Sequence, residues 1–344
     1  MTYYTALDVS LRSVSIGIVD DQGEVRHEAK VAAEVDKITA CLRAFSPEVS
    51  VIGFEAGALT QYLTYGLQAE GFDVVCLEAR QVSAALSAMR NKTDRNDARG
   101  IAQILGTGGY SRVHVKSLQS HPLRVLLSSR KAILSKGVDL ENELRGLLKI
   151  FGVRLASKVA HGGYDRTVRP LVEADPLLAR GLLPLLEARL VLYKTYLKLD
   201  NEVKAITRTD PICKRLMTVP GVGAITALTF KAAVDDPTRF KSSRTVAAHF
   251  GLTPRRFQSG EVDSPGRISK AGDPDVRCAL YTAAHALMTR TAAWSSLKAW
   301  GVRLARTRGH RRAVIAVARK LAVILHKMWI NGADFRCGSV EATA

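Results

Sequence analysis

Four acidic residues occupy positions from which carboxylate oxygens can hold a metal ion. Asp8 closes a first strand-like run and Glu55 closes a later one. Asp94 and Asp97 open a helix-like stretch, and their spacing of three residues places them on one face of a helix. Acids at strand ends that face acids on a helix suit Mg²⁺, or Mn²⁺, because these hard ions prefer oxygen ligands. Such a site activates a nucleophile and stabilises the leaving oxygen in phosphoryl transfer.

The order of apolar and polar residues predicts the elements that carry these acids. Three strands come first, and helices and strands then alternate. The predicted strands cover 3–8, 14–19, 24–32, 49–55 and 73–78, and the predicted helices cover 34–45, 58–70 and 80–105. This is the order of an α/β domain of the ribonuclease-H-like (RNase H-like) fold. In that fold the first carboxylate lies on the first strand, the second ends the fourth strand, and a last one comes from a later helix.

A helical middle region is predicted between residues 116 and 208. Apolar residues recur at steps of three and four over 117–152 and again over 168–208. Pro170, Pro176 and Pro184 interrupt the start of the second stretch. The two apolar stripes predict an antiparallel helix pair, either a coiled-coil contact with another copy or an internal helical core.

The last part of the chain, 209–344, is predicted to be a mostly α-helical domain with basic loops. Residues 216–227 have the form of a helix-hairpin-helix, in which Gly221 and Gly223 allow a tight turn to approach a phosphate backbone. A loop is expected over 251–260. The predicted helices cover 241–250, 274–289 and 309–329. The predicted domains are therefore 1–115, 116–208 and 209–344.

Charge is distributed unevenly along the chain. The formal net charge is +18. Residues 1–115 contain 11 Lys+Arg against 14 Asp+Glu, a net −3, whereas the rest contains 39 against 18, a net +21. An acidic front and a basic rear favour a metal site in one domain and nucleic-acid binding mostly in the other. The alternative on charge alone is a ribosome-associated or simply basic protein.

Cysteine spacing and hydropathy exclude several classes of protein. The five cysteines are scattered, without a Cys-x-x-Cys pair, which argues against a zinc ribbon or a disulfide framework. No apolar run is long enough to span a bilayer, and no signal peptide is recognised. A cytoplasmic protein without membrane contact is expected.

Asp8, Glu55, the run Lys92–Ala98 and the stretch from Pro254 through Gly260 follow one another in the order of a known family. The chain resembles the DEDD transposases of the IS110 family of bacterial insertion sequences. The resemblance covers nearly the whole chain: a RuvC-like domain, a connecting coiled coil and a carboxy-terminal transposase domain. The run from Lys92 is its most specific part.

The resemblance implies a mechanism that composition does not reveal. Members of the family are DNA recombinases guided by a structured bridge RNA that pairs with donor and target DNA. It implies that Asp8, Glu55, Asp94 and Asp97 bind Mg²⁺, and that a serine of the rear domain forms a covalent 5′-phosphoserine link. It also implies homodimers that pair into homotetramers, in which the acids of one protomer meet the serine of another.

Ser259 matches the family's position for that serine, in a loop after Pro-Arg and just before a glycine. The family usually has a second serine in front of it, where this chain has Gln258. Ser269 and Ser264 are the nearby alternatives. From the residues alone, a loop serine beside glycine is a turn residue, so the assignment of Ser259 rests on the resemblance.

Basic residues near both groups are candidates for contacts with nucleic acid. They are Lys92 and Arg95 beside the acids, and Arg255, Arg256, Arg267 and Lys270 around the serine. Their charged groups could hold a phosphate by charge-assisted hydrogen bonds, or they could be solvated surface charge. Tyr62, Tyr65 and Phe257 could stack on bases, although core packing is the commoner role of an aromatic residue.

Two other functions are compatible with part of this pattern. A metal-dependent endonuclease of the Holliday-junction resolvase kind needs the four acids but uses water as its nucleophile, so it needs neither Ser259 nor the large basic rear domain. A non-catalytic nucleic-acid-binding protein would carry the acids as structural residues. The order of the four acids argues against that third function.

Overall fold

The computed structural model describes residues 1–45, 48–87 and 93–337. The chain forms two compact units, Met1–Lys116 and Ser117–Ala344. The first unit is built around a five-stranded sheet, and the second is mostly helical. A mixed α/β chain that is mainly helical is therefore confirmed, and the division into three domains stays a prediction.

The first unit begins with three strands and then alternates helices with strands. Its elements are β1 Tyr4–Val9, β2 Ser13–Val19, β3 Val25–Ala32, α1 Val35–Ala44, β4 Val51–Glu55, α2 Thr60–Ala69, β5 Val74–Leu77, α3 Ala79–Leu86 and α4 Asp94–Thr107. The strand order is β3-β2-β1-β4-β5. Neighbouring strands among the first three are antiparallel, whereas β4 is parallel to β1 and β5 is parallel to β4. The predicted order of elements is confirmed, with two helices in the helical stretch expected over 80–105.

Both faces of the sheet are covered by helices, because side chains alternate between faces along each strand. One face buries Leu7 and Ile52 in an apolar cluster with residues of α1 and α2. The opposite face buries Ala6 and Leu77 with Ile101 and other residues of α4. Each fully buried Leu or Ile side chain contributes about 1.5–3 kcal/mol relative to exposure, so the two clusters hold the helices on the sheet.

Helix α4 lies very close to the sheet because two strand positions lack a side chain. A Cβ atom added at Gly53 of β4 would lie 2.5 Å from Leu105 Cδ1. A Cβ added at Gly17 of β2 would lie 3.3 Å from the backbone carbon of Ala98. The two contacts place the first turns of α4 on β2 and its last turns on β4.

The second unit contains two long helices followed by shorter helices and a hairpin. Its elements are α5 Ser120–Ile150, α6 Tyr164–Glu173, α7 Pro176–Thr209, α8 Pro211–Leu216, α9 Ala224–Val234, α10 Ser243–His249, β6 Pro254–Ser259, β7 Val262–Ile268, α11 Pro274–Thr289, α12 Ser296–Arg308 and α13 His310–Asn331. Short 3₁₀ turns lie at His161–Gly163 and Pro237–Arg239.

Helices α5 and α7 form the antiparallel pair that the apolar stripes predict. Arg130 Nε donates to Asp200 Oδ1 at 2.8 Å, and further along the pair Arg189 Nε donates to Glu141 Oε1 at 2.8 Å. Arg189 is buried between the rings of Tyr164 and Tyr193. Paired charges inside the helix contact fix its register, since an unpaired buried charge would cost several kcal/mol.

The three prolines do not interrupt the second helical stretch in the way the sequence suggests. Pro176 begins α7, where no backbone N–H is needed. Pro170 lies inside α6 and Pro184 inside α7. Leu182 and Leu186, on either side of Pro184, are buried. Their packing offsets the cost of an interior proline, about 3 kcal/mol.

The rear helices α8 to α13 surround one apolar core, to which α13 contributes Val314, Leu321 and Leu325. Within the described ranges, no helix has the length and apolar character needed to cross a membrane. The prediction of a loop over 251–260 is wrong, because Pro254–Ser259 is a strand, β6, that pairs antiparallel with β7.

Candidate active site

Asp8 and Glu55 meet at one edge of the sheet. Strands β1 and β4 are parallel neighbours with Leu7 opposite Phe54, so the residues that follow, Asp8 and Glu55, lie side by side. Asp8 is two residues from Ala6 and Glu55 is two residues from Gly53, which puts both acids on the face covered by α4. Both line a single cavity of about 220 Å³.

Asp94 and Asp97 lie in the first turn of α4. The Thr93 hydroxyl caps this helix by accepting from the Asn96 backbone N–H at 3.2 Å. The amino-terminal end of a helix carries a partial positive charge, which favours carboxylates in its first turn. Asp94 is exposed and Asp97 is half-buried.

Residues of β3 neutralise the beginning of α4. Lys30 Nζ donates to Asp94 Oδ2 at 2.9 Å, and Arg95 Nε lies 3.1 Å from Glu28 Oε2. The hydrogen bond from Lys30 holds the pKa of the Asp94 carboxyl below its usual value. Lys30, Asp94 and Arg95 line a cavity of about 620 Å³ that Ser15 also lines. Ser15 is the β2 partner of Asp8, so the two cavities are neighbours across β1 and β2.

The structure therefore places Asp8 beside Glu55 and joins Asp94 to Lys30 by a hydrogen bond. Across 1–45, 48–87 and 93–337, no three His, Cys, Asp or Glu side chains form a group able to hold a metal ion. Lys92 lies outside the described residues. The site therefore consists of carboxylate oxygens near one edge of the sheet, and the Lys30 ammonium lies beside one of them, Asp94.

Ser259 is the last residue of β6 and is exposed at the tip of the hairpin. It pairs with Val262, and the connecting turn contains Gly260 with φ of +56°, a left-handed conformation that suits glycine. The Ser259 hydroxyl makes no hydrogen bond to another described residue. It is accessible to a large substrate, but none of the described residues lies within hydrogen-bonding distance of it as a general base.

Arg256 and Asp263 brace the hairpin across its two strands. Arg256 Nε donates to Asp263 Oδ1 at 2.9 Å, and its Nη2 donates to Oδ2 at 2.7 Å. The contact raises the pKa of the guanidinium and lowers the pKa of the carboxyl. Both groups are exposed, so the pair contributes little to stability. Arg256 is thus engaged inside the hairpin.

The remaining candidates around the hairpin differ in exposure and partners. Ser264 is exposed on β7, opposite Phe257. Ser269 is half-buried, and its hydroxyl accepts from the Ala271 N–H at 3.4 Å. Arg255 Nη2 donates to the Ser269 carbonyl at 3.3 Å. Arg267 and Lys270 are exposed.

The two glycines of the turn between helices α8 and α9 have different surroundings. Gly221 has φ of +89°, and a Cβ there would lie 2.6 Å from the carbonyl oxygen of Ala283 in α11. Its lack of a side chain is required by packing. Gly223 is the exposed N-cap of α9, with nothing within 4 Å of a Cβ position. A phosphate contact at this turn therefore has access through Gly223.

Comparisons with known proteins extend over both units. A family model for the DEDD transposases of IS110 matches residues 5–152, and its description is simply transposase. A second, described as the IS116/IS110/IS902 transposase family, matches residues 213–299. The chain is 33% identical over 258 residues to the transposase for insertion sequence element IS1111A of Coxiella burnetii, covering 72% of this chain and 70% of that protein.

The chain belongs to the IS110 family of transposases. It is also similar to a putative transposase, y4pF/y4sB, of Sinorhizobium fredii, at 30% identity over 262 residues covering 74% of this chain and 66% of the relative. Similarity to the transposase for IS1328 of Yersinia enterocolitica is 27% over 286 residues, covering 83% and 85%. As a transposase, the protein is an enzyme of DNA cleavage and recombination. DEDD transposases commonly use divalent metal ions.

Two aromatic residues of this IS110-family transposase have structural contacts. The Tyr65 hydroxyl donates to the Lys116 carbonyl at 2.6 Å, and the Tyr62 hydroxyl accepts from the Val35 N–H at 3.4 Å. Tyr62 remains exposed, so its ring is open to stacking. The side chain of Phe257 lies outside the described part of the chain.

Sequence reasoning missed the β3 residues that contact the transposase's acids. Lys30 and Glu28 lie two residues apart on one face of β3, and their charges complement Asp94 and Arg95. A pair of opposite charges at a spacing of two, on one face of a predicted strand, is the available signal. That spacing alone does not identify Asp94 and Arg95 as the residues that the two charges contact.

Proposed function

We propose that this transposase is an RNA-guided DNA recombinase that cuts and rejoins strands through a covalent 5′-phosphoserine link. One observation supports the metal-dependent cleavage step of the proposal: Asp8 and Glu55 end neighbouring parallel strands and line one cavity. Asp94 and Asp97 begin the helix packed on that same face. This is the arrangement expected of an RNase H-like, RuvC-like domain.

The four acids are the proposed ligands of Mg²⁺ or Mn²⁺. Their oxygen donors fit a hard cation, and the Lys30 ammonium against Asp94 shows that this carboxylate accepts a positive charge at 2.9 Å. When bound, the ion supplies neutralisation of phosphate charge and orientation of the leaving oxygen.

Ser259 is the proposed nucleophile. Its Oγ attacks the scissile phosphorus while the bond from phosphorus to the 3′ oxygen breaks. The hydroxyl proton passes to a base, the leaving strand takes a proton as a free 3′-OH, and the serine holds the 5′ phosphate. Attack by another strand's 3′-OH then restores a phosphodiester and releases the serine. Because each step exchanges one phosphate ester for another, rejoining needs no ATP.

Assembly of the site from more than one protomer is part of the proposal. The Ser259 hydroxyl has no hydrogen-bond partner among the described residues, so a site complete in itself is not present around it. Homodimers that pair into homotetramers would bring the acids of one protomer to the serine of another. The proposed domains are the RuvC-like domain 1–115, a coiled-coil linker 116–208 and the transposase domain 209–344.

The structured bridge RNA is the proposed guide, together with donor and target DNA as partners. The basic rear of the chain, net +21 from residue 116 onward, supports polyanionic partners. Arg95, Arg255, Arg267, Lys270 and Gly223 are the described candidates for phosphate contacts. Arg256 joins them only if it leaves Asp263.

Replacing the serine tests the covalent step. Ser259→Ala should abolish both strand cleavage and the DNA-linked protein band seen after denaturing electrophoresis, with binding retained. Ser264→Ala, on the same exposed hairpin, is the matched control and should react like wild type. Asp8→Asn should bind DNA and fail to cleave. Cleavage retained by Ser259→Ala would favour the resolvase-like endonuclease, in which water attacks.

Sequencing of co-purified RNA tests the guide. The protein is expressed together with its native flanking DNA, and bound RNA is recovered and sequenced. One discrete structured RNA transcribed from the flanks supports the proposal. Bulk cellular RNA, or no RNA, contradicts RNA guidance and leaves the DNA chemistry to be judged by the serine variants.

A further inference from the structure

The most concentrated positive charge of the second unit lies around the turn between α12 and α13. From Val276 to Ala333 the chain contains 11 Lys+Arg and no Asp or Glu. Within this segment α12 ends at Arg308, one glycine follows, and α13 begins at His310. Five exposed arginines surround the turn, and we call them the arginine corner: Arg303, Arg306, Arg308, Arg311 and Arg312.

Absence of acidic partners distinguishes the arginine corner from many, though not all, cationic positions of the unit. None of its five side chains makes an ion pair or hydrogen bond with another described residue. Elsewhere in the unit many cations are paired, among them Arg124 with Asp273, Arg130 with Asp200 and Lys231 with Asp210. Like charges three residues apart on a helix, such as Arg303 and Arg306, repel each other. The corner is thus an arrangement that a bound polyanion would stabilise.

The helices that carry the arginine corner are held rigidly. A Cβ at Gly301 would lie 2.7 Å from Val317 Cγ2, so α12 approaches α13 closely at this glycine. His285 Nδ1 of α11 lies 3.1 Å from His310 Nε2, which ties the first residue of α13 to α11. Close packing sets the backbone positions of the five arginines before a ligand binds, and preorganisation of this kind raises affinity.

The partial charges of the two helix ends oppose each other at the turn. The amino-terminal end of α13 is partially positive and the carboxy-terminal end of α12 is partially negative. Arg306 and Arg308 lie in that last turn of α12 and neutralise it. The attraction for an anion therefore comes from the guanidinium groups, whose planar forks match the oxygens of a phosphate.

We propose that the arginine corner is a binding site for the phosphodiester backbone of DNA. The inference rests on the proposed function, since recombination requires DNA to be held along its length as well as at the reacting phosphate. Backbone contacts of this kind position DNA without reading its sequence. The corner lies outside the hairpin that carries Ser259 and outside the sheet that carries the acids, so it can be altered without touching either.

Salt-dependent binding to a fluorescein-labelled DNA duplex of random sequence is the test. Each phosphate contact contributes about −0.9 to the slope of log K against log salt concentration. Arg311→Gln combined with Arg312→Gln should weaken binding and make the slope shallower by about 2. Arg303→Gln combined with Arg306→Gln tests the α12 side in the same way.

The matched control removes the same charge from another exposed part of the unit. Arg166→Gln combined with Arg180→Gln changes two exposed arginines of α6 and α7. If the corner is the site, this variant keeps the wild-type slope. Equal losses in the control and in the corner variants would overturn the inference, because net charge alone would then explain them.

Further outcomes separate this inference from the proposed function. Wild-type protein that binds no random duplex contradicts the arginine corner, whereas the proposed function is judged by the serine variants and the co-purified RNA. Wild-type binding with unchanged corner variants contradicts the arginine corner alone and leaves the serine chemistry untouched. An RNA duplex of the same sequence is the second probe. Corner variants that lose RNA binding and keep DNA binding would assign the surface to RNA and overturn the assignment to DNA.

Discussion

Lys30 Nζ lies 2.9 Å from Asp94 Oδ2, and this contact joins strand β3 to the first turn of α4. The two side chains are 59% and 56% exposed, so the pair itself contributes at most about 1 kcal/mol to stability. Its consequence concerns metal binding. A lysine ammonium and a metal cation cannot both occupy the same carboxylate oxygen, so Lys30 competes with the ion for Asp94.

Removal of the Lys30 charge is therefore expected to tighten binding of a divalent cation. Lys30→Met keeps the length of the side chain and removes the competitor for Asp94. Because an exposed ion pair is worth up to about 1 kcal/mol, the dissociation constant should fall by about two- to five-fold. Mn²⁺ titration followed by calorimetry measures it directly, without reference to catalysis.

Lys37→Met is the matched control for the Lys30 experiment. Lys37 is equally exposed, at 59%, and also contacts an aspartate, Asp36 of α1. The Lys37→Met variant should leave Mn²⁺ affinity unchanged. Asp8→Asn should lose affinity in the same titration. Weaker Mn²⁺ binding by Lys30→Met would show that Lys30 supports the site rather than competing for it.

Close packing at Gly53 should control the position of α4 and with it the acids. Gly53→Ala places a Cβ 2.5 Å from Leu105 Cδ1 in a core where Leu105 is buried. Overpacking of this kind costs about 1–3 kcal/mol. We expect faster hydrogen exchange in α4 and weaker Mn²⁺ binding.

A compensating substitution tests whether the Gly53 effect passes through Leu105. Gly53→Ala combined with Leu105→Ala should recover much of the lost Mn²⁺ affinity, because the smaller side chain makes room for the new Cβ. Leu105→Ala alone is the reference, with a cavity cost of about 2–5 kcal/mol. Additive losses in the double variant would contradict a direct clash.

The sheet and its acids could be predicted from sequence because their signals are local. Strands such as β2 alternate or run apolar, and turn residues separate them. The order of strands then fixes the location of Asp8 and Glu55, since parallel neighbours end at the same edge. By contrast, Lys30 and Asp94 are 64 residues apart in sequence, and no periodicity identifies so distant a partner.

The β6–β7 hairpin could not be recognised for a related reason. Its strands carry Arg255, Arg256, Gln258 and Ser259 at exposed positions, so no face alternates with apolar residues. Pro265 and Gly266 within β7 are typical of loops. Pairing of the two strands overrides those local preferences. The candidate serine accordingly lies at the end of a strand rather than in a loop.

The ion pair of Asp200 with Arg130, between α7 and α5, should make the free energy of unfolding of the second unit depend on pH. Burial alone would raise the pKa of Asp200, but hydrogen bonds from Lys204 and Arg130 outweigh it and leave the pKa below the usual 3.8. A carboxyl with a lowered folded-state pKa stabilises the protein above pH 3.8 and loses that contribution as pH falls through the folded value. Asp200→Asn should therefore destabilise the second unit at pH 7 by about 1–3 kcal/mol.

Tryptophan fluorescence during urea unfolding measures the Asp200 effect selectively. All three tryptophans, Trp294, Trp300 and Trp329, belong to the second unit. The difference between Asp200→Asn and wild type should shrink as pH falls below 3.8. Asp139→Asn removes the exposed partner of Lys136 and should stay within about 0.5 kcal/mol of wild type. A difference at Asp200 that is independent of pH would exclude its ionised carboxylate as the cause.

Stability should respond very differently to alanine at Gly221 and at Gly223, although both glycines belong to one motif. Gly221→Ala combines a φ of +89° with a Cβ placed 2.6 Å from the Ala283 carbonyl oxygen. The strain and the clash with α11 backbone together should cost about 2–5 kcal/mol. Gly223→Ala meets nothing within 4 Å and should change stability by less than about 1 kcal/mol.

The same two variants separate packing from phosphate contact at this turn. If the Gly223 amide and the end of α9 contact a DNA phosphate, the Cβ of Gly223→Ala obstructs the backbone approach and weakens duplex binding while urea unfolding stays unchanged. Gly221→Ala should lower the urea midpoint of tryptophan fluorescence, and its DNA affinity should fall only as far as the folded fraction does. Unchanged DNA binding by Gly223→Ala would leave the turn a packing motif between α9 and α11, with the phosphate contacts of the second unit elsewhere.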